Sequence, residues 1–251
     1  MRAGSGRRWM LAAPLAVAQW LLMSPVGSAS AQAMADRLAS CKNESDNTQA
    51  RIQACSWVVD NSKDDEDLRS EALLQRGVLY EFAGDKEAAI KDYGEVIELD
   101  PSSAVAYFNR GNAYDQLGDH DRAIADYTQA IKLDPTDPDI FNNRGQAYDN
   151  KGESELAIAD YSESIRLSRD NSRAFFNRGL AYASKGDFDL AVSDFSEAIK
   201  LDPRDVDAFV NRGAVYEEMG NQAAARADYR KALAIEPDHE DAKEGLSRLG
   251  K

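Results

Sequence analysis

The chain has 251 residues, 43% hydrophobic and 29% charged, with a formal net charge of -14 at pH 7. Such an excess of carboxylates repels nucleic acid and anionic lipid at long range, so neither is an expected partner. Three of its cations, Arg2, Arg7 and Arg8, sit at the extreme N-terminus, which leaves the remainder more acidic still.

Arg7 and Arg8 precede an apolar stretch from Trp9 to Met23, and the small residues Gly27, Ser28, Ala29, Ser30 and Ala31 follow. That order predicts a secretory signal peptide over residues 1–31, cut before Gln32, with a cut before Met34 as the alternative. An uncleaved anchor is the weaker reading, because the run is shorter than the ~20 residues a spanning helix needs and Pro14 interrupts it. Leu38-Ala39-Ser40-Cys41 imitates a lipoprotein box, but Asp36 and Arg37 separate it from the apolar run. The expected location is periplasmic or secreted, in a bacterium, with no stable membrane insertion after cleavage.

Residues 34–64 read as a short helical hairpin, with Ile52, Cys55, Trp57 and Val58 at helical spacing in its second arm. Cys41 and Cys55 are the only cysteines. In an exported protein an even count points to a Cys41–Cys55 disulfide, and two buried free thiols are the alternative. Closing a loop of about 15 residues is worth roughly 3 kcal/mol in the chain-entropy picture. The sequon Asn43-Glu44-Ser45 in this segment is expected to stay bare in a bacterium.

From residue 70 to 239 the same spaced letters recur every 34 residues. In residues 104–137 they are Tyr107, Gly111, Tyr114, Gly118, Ala123, Tyr127, Ala130 and Pro135. The windows 70–103, 138–171, 172–205 and 206–239 repeat the scheme, with Gly77, Gly145, Gly179 and Gly213 at the first glycine and Tyr93, Tyr161, Phe195 and Tyr229 at the last aromatic. In 104–137 the pattern predicts helix A over 104–116, stopped by Gly118, and helix B over 121–133, stopped by Asp134-Pro135. Helices of about 14 residues are marginal alone in water, so stacking on neighbours must stabilise them. Residues 138–171 depart from the scheme: Arg169 replaces the proline and Ser164 the small alanine, so a looser joint is expected there. Arg226 stands where the other windows have isoleucine or valine, as suits a last repeat with less to cover. Residues 240–251 carry Ala242, Gly245, Leu246 and Leu249 on one face and read as a cap helix.

This pattern resembles the tetratricopeptide repeat (TPR), a helix–turn–helix unit of the same period. The resemblance implies an all-α fold, a right-handed superhelical solenoid of stacked antiparallel helix pairs. The family usually has leucine where this chain has Arg76, Arg110, Arg144, Arg178 and Arg212. A matching acidic column, Asp92, Asp126, Asp160, Asp194 and Asp228, predicts charge pairs between helices.

The resemblance also implies a concave groove lined by A helices in which peptides or partner helices lie. Its positions carry Asn109, Asn143, Asn177 and Asn211, with Gln75 as the first member. The column resembles the asparagine ladders along which family members hold a peptide backbone, since a carboxamide both donates and accepts. Local pairing with backbone or water is the alternative. Phe108, Phe176, Leu74 and Val210 would make the groove apolar, and Glu81, Asp115, Asp149, Glu217 and Glu218 would make it acidic. A partner with basic and apolar residues fits that character, while packing between helices is the competing use of the phenylalanines. Where relatives that grip a C-terminal carboxylate place lysines, this chain has Leu74, Phe108, Asn142, Phe176 and Val210, which removes such a clamp. No nucleophile–base arrangement, phosphate loop, metal spacing or cofactor motif is visible. The expected role is a non-enzymatic protein-binding scaffold of the cell envelope, with self-association as the alternative.

Overall fold

The computed structural model describes residues 25–250, with side chains from residue 31 onward. The expected signal peptide therefore lies almost wholly outside the described residues. Among the described residues there are thirteen helices and no strand. The chain divides into two compact units, with the boundary after Ala72.

The first unit contains α1 (Pro25–Lys42) and α2 (Thr48–Asn61), packed against each other as a hairpin. α1 begins earlier than residue 34, because Ala29, Ala31 and Ala33 are strong helix formers that continue it upstream. Asn47 caps α2 by accepting from the Ala50 N–H. Cys41 and Cys55 are fully buried between the two helices, with Cα atoms 4.8 Å apart and sulfurs at bonding distance. Arg37 lies over the Trp57 ring at 5.6 Å, and Lys42 pairs with Glu71.

The second unit begins inside α3 (Glu66–Ala83) and continues through α4 (Lys86–Leu99), α5 (Ala104–Gln116), α6 (His120–Leu133), α7 (Pro138–Asn150), α8 (Ser154–Leu167), α9 (Ser172–Lys185), α10 (Phe188–Leu201), α11 (Val206–Glu218), α12 (Gln222–Ile235) and α13 (Glu240–Arg248). These are five A/B pairs and a cap. The helix bounds in 104–137 match the expected ones to within a residue. Side chains close the N-termini: Ser103 accepts from the Ala106 N–H, Asp119 from Arg122, and Asn171 from Ala174. Gly118 takes φ +80° behind α5, the left-handed geometry a helix end favours. Each B helix packs on the A helix before it and on the helix after it, an A helix or, for α12, the cap α13, which is a solenoid stack of helix pairs.

The core is built on one steric device. The ring of Tyr127 lies against Gly111 so closely that an added Cβ would sit 2.8 Å from it. The same fit recurs at Gly77, Gly145, Gly179 and Gly213 against Tyr93, Tyr161, Phe195 and Tyr229. Alanine there would force the two helices of a repeat apart. Tyr229 is clasped on its other edge by Gly245 of the cap helix.

The charge columns pair as expected. Each arginine reaches its aspartate with two parallel hydrogen bonds of 2.7–2.9 Å, from Arg76 to Asp92, Arg110 to Asp126, Arg144 to Asp160, Arg178 to Asp194 and Arg212 to Asp228. All five aspartates are buried. Arg144, Arg178 and Arg212 also reach back one repeat with their remaining nitrogen, to Thr128, Ser162 and Ser196, at 2.8–3.1 Å. Aromatic rings flank the guanidinium, as Tyr107 and Tyr114 flank Arg110 at 5.7 and 5.9 Å. Each arginine thus ties helix A to helix B of its own repeat, and Arg144, Arg178 and Arg212 also tie it to the repeat before.

Two local expectations change. The joint after α8 keeps the geometry of the others: Ser168 ends the helix with the same extended backbone as Asp134, and its N–H reaches Ser164 O at 2.9 Å. The fully buried Ser164 hydroxyl accepts from Asn171 Nδ2 at 3.2 Å, so a polar pair replaces the alanine–proline contact. Arg226 is half-buried rather than left to solvent, because its guanidinium donates to Leu249 O at the end of the cap helix.

Candidate functional site

In the second unit, consecutive A helices touch one another: α5 with α7, α7 with α9, and α9 with α11. Among the described residues no B helix touches the next B helix. Helices that converge on one side and diverge on the other make a curved stack, with the A helices as its inner wall. All the predicted groove residues sit on A helices.

The asparagine column lies at the joints between these helices, and its four members differ. Asn143 Nδ2 donates to Asn112 Oδ1 at 2.9 Å, which links α7 to α5. Asn177 Nδ2 donates to Asn142 Oδ1 at 3.2 Å, which links α9 to α7, and Asn142 Nδ2 donates to Asn143 Oδ1 at 3.2 Å. The buried Tyr127 hydroxyl donates to the same Asn112 oxygen at 2.7 Å. One amide chain therefore runs across three A helices. Asn211 turns to its own helix and donates to Asp207 O at 2.8 Å. Asn109 has no side-chain hydrogen-bond partner among the described residues.

The difference follows from the residue across each joint. Asn112 faces Asn143; by the 34-residue repeat the corresponding positions at the other joints are Val78 and Asn109, Gln146 and Asn177, and Leu180 and Asn211. An amide opposite an amide or beside Asn142 finds a partner on the neighbouring helix, while an amide opposite valine or leucine finds none across the joint. Asn112 and Asn142 were not singled out from the sequence as binding positions. Asn142 entered only as a missing lysine, and Asn112 has unlike residues at its repeat equivalents. Pairing positions across the joint, rather than reading single columns, is the signal that finds them.

Phe108 and Phe176 pack on the rings of Tyr127 and Phe195 at 6.0 and 5.7 Å, with both phenylalanines half-buried. Much of their surface is thus spent within their own repeats. The acidic column is partly internal as well. The Tyr93 hydroxyl donates to Glu81 at 2.8 Å, Tyr161 to Asp149 at 3.1 Å, and Tyr229 to Glu217. In the fourth repeat both partners are absent together, Phe195 standing with Ala183. Asp115 instead meets His120 Nδ1 at 2.6 Å. Burial pushes the carboxyls of Glu81 and Asp149 above the usual range, whereas the Arg248 guanidinium holds Glu217 below it. Two shallow cavities, about 380 Å³ around the α5–α6 turn and about 590 Å³ between α8, α9 and α10, do not include the asparagine column. Among the described residues no group of three or more His, Cys, Asp or Glu is placed to hold a metal ion.

The family pattern described as "TPR repeat" matches residues 83–118, 111–152, 150–186 and 179–220, and "Tetratricopeptide repeat" matches 206–239. The chain belongs to the tetratricopeptide repeat family. A curated TPR relative, human "Tetratricopeptide repeat protein 6", is 50% identical over 40 residues, which is 16% of this chain and 8% of that one. Among solved TPR structures, YrrB, titled "a TPR protein with an unusual peptide-binding site", superposes with TM-score 0.64 at 26% identity over 77% of this chain and 97% of its own. MamA gives TM-score 0.62 at 27% identity over 64% of this chain and 94% of its own. A TPR protein from Parabacteroides merdae, at 17% identity and TM-score 0.67 over 88% of this chain and all of its own, shares the fold.

Proposed function

We propose that this chain is a non-catalytic protein-binding scaffold of the bacterial cell envelope, holding a segment of a partner protein against its inner wall. One observation carries the reading: A helices converge into a face that presents amides, half-buried phenylalanines and carboxylates together. A carboxamide can hydrogen-bond a peptide group whatever side chain follows it, so such a wall suits an extended segment. The carboxylates favour lysine or arginine in that segment, and the rings favour an apolar neighbour. The peptide-binding site named for YrrB, at 26% identity, supports the same use of the fold here.

The envelope location rests on the signal-like order of residues 1–31 and on the buried Cys41–Cys55 pair, whose sulfurs lie at bonding distance as an oxidising compartment would keep them. The reading is tested by photo-crosslinking in intact cells. A photoreactive residue at Asn109 or Gln146, on A helices, is expected to give a discrete adduct, and one at Ala125 or Ala159, exposed on B helices, none. Adducts from the B helices alone would reject it.

A further inference from the structure

The four ladder asparagines are not equivalent, and that selects one place on the wall. Asn143 and Asn177 are bonded into the amide chain and Asn211 to its own helix, so Asn109 alone of the four keeps its donors and acceptor unspent among the described residues. Around it the first joint is the most apolar exposed part of the inner wall. Val78 and Phe82, one turn apart on α3, are 45% and 83% exposed, and Val105, one turn before Asn109 on α5, is 42% exposed. By the joint geometry seen between Asn112 and Asn143, Val78 is the residue opposite Asn109. Glu81 lies on the same face of α3 as Val78, and Asp115 is its equivalent on α5. The corresponding fourth joint has Leu180, but Ala183 and Ser184 replace the acid and the exposed phenylalanine, and its Asn211 is engaged.

We infer that this first joint is the recognition subsite, and that it takes an extended partner segment with a large apolar side chain next to a lysine or arginine. The inference rests on the inner-wall reading above and narrows it. The apolar side chain covers Val78, Phe82 and Val105, whose exposure costs free energy in the unbound chain. The Asn109 carboxamide takes up a peptide N–H and C=O of the segment, and the cation faces Glu81 Oε1 and Asp115 Oδ2, the carboxylate oxygens that Tyr93 and His120 leave unengaged. The rest of the amide chain holds α5, α7 and α9 at fixed spacing, so that the wall is formed before the partner arrives. A few anchored side chains carry most of the affinity in such interfaces, and one exposed aromatic beside an unspent amide is the arrangement that supplies them.

The test uses a displayed library of random dodecamer peptides, panned on the full chain. Selected peptides are then measured by fluorescence anisotropy against the wild type and against Phe82→Ser, Asn109→Ala and Leu180→Ser, each checked for native helix content. The expected result is a consensus of a large apolar residue beside lysine or arginine. Its affinity should fall about tenfold or more in Phe82→Ser and Asn109→Ala, and less than about twofold in Leu180→Ser. Peptides that lose affinity only in Leu180→Ser would overturn the choice of subsite while leaving the inner-wall reading standing. Enrichment of acidic or purely polar peptides would overturn the partner chemistry, and enrichment of none would overturn both. If sedimentation shows a dimer that Phe82→Ser abolishes, the occupant is a second copy of this chain and the inference is wrong.

Discussion

Replacing Arg144 by leucine strips Asp160 of two hydrogen bonds of 2.7 and 2.8 Å while leaving the carboxylate buried between α7 and α8. The same change removes the 3.1 Å contact to Thr128 that ties α7 to α6. Desolvating the pair already offsets much of its attraction, so an intact pair adds little net stability. Removing one partner is different, because the other stays buried without compensation, at a cost of about 3–5 kcal/mol. For a repeat unit of this size that lowers Tm by roughly 6–20 °C. Replacing Arg144 and Asp160 together with leucine leaves no buried charge and should return most of the loss. Circular dichroism melts and urea titrations of wild type, both single variants and the double variant give the coupling directly. A melt of Arg144→Leu within a degree or two of wild type would refute the reasoning, as would a double variant no better than the singles.

Other expectations follow from the same contacts. Gly94 stands where Thr128, Ser162 and Ser196 supply a hydroxyl to the next repeat's arginine, and a Cβ there meets Arg110 Nη1 at an ordinary 3.6 Å. Gly94→Ser should therefore stabilise by about 1–1.5 kcal/mol, from helix propensity and one added hydrogen bond, and a loss of stability in urea would contradict this. Phe195→Tyr alone should destabilise by about 1–3 kcal/mol, because Ala183 offers its hydroxyl no acceptor, and Ala183→Asp in the same chain should recover it. Burial raises the carboxyls of Glu81, Asp149, Asp137 and Asp205, so the folded chain takes up protons before the unfolded one as pH falls. Stability contributed by these groups should rise as pH falls toward the carboxylate range and be complete below about pH 4, where the unfolded carboxyls protonate too. Glu217, held low by Arg248, works the other way and loses its share only below about pH 4.3. Tm lower at pH 5 than at pH 7 would contradict the sign.

Much of the repeat unit was legible because its signals are local and recur. Gly111, Gly118 and Pro135 each have one physical task, and five copies in register fix the helix bounds. The arginine and aspartate columns were legible for the same reason. The ladder was legible only as a column: the pairing that separates Asn109 from Asn143 depends on which residue sits across the joint, and Val78, Asn112, Gln146 and Leu180 share no type. Tyr127 and Tyr161 hide a similar dependence, since their hydroxyls take Asn112 in one repeat and Asp149 in another. Arg226 looked like a concession to an exposed end, yet its partner, Leu249 O, is a backbone oxygen no side-chain pattern reveals.

The most direct measurement is the side-chain amide spectrum of the chain labelled with nitrogen-15 in asparagine, recorded with and without the selected dodecamer. The account predicts that in the free chain the Asn109 amide exchanges with water fastest among the ladder residues, and that peptide shifts it most, while Asn171 and Asn221, which cap α9 and α12 by accepting from the Ala174 and Ala224 N–H, stay in place. Shifts confined to Asn171 and Asn221, with Asn109 unmoved at saturating peptide, would contradict it.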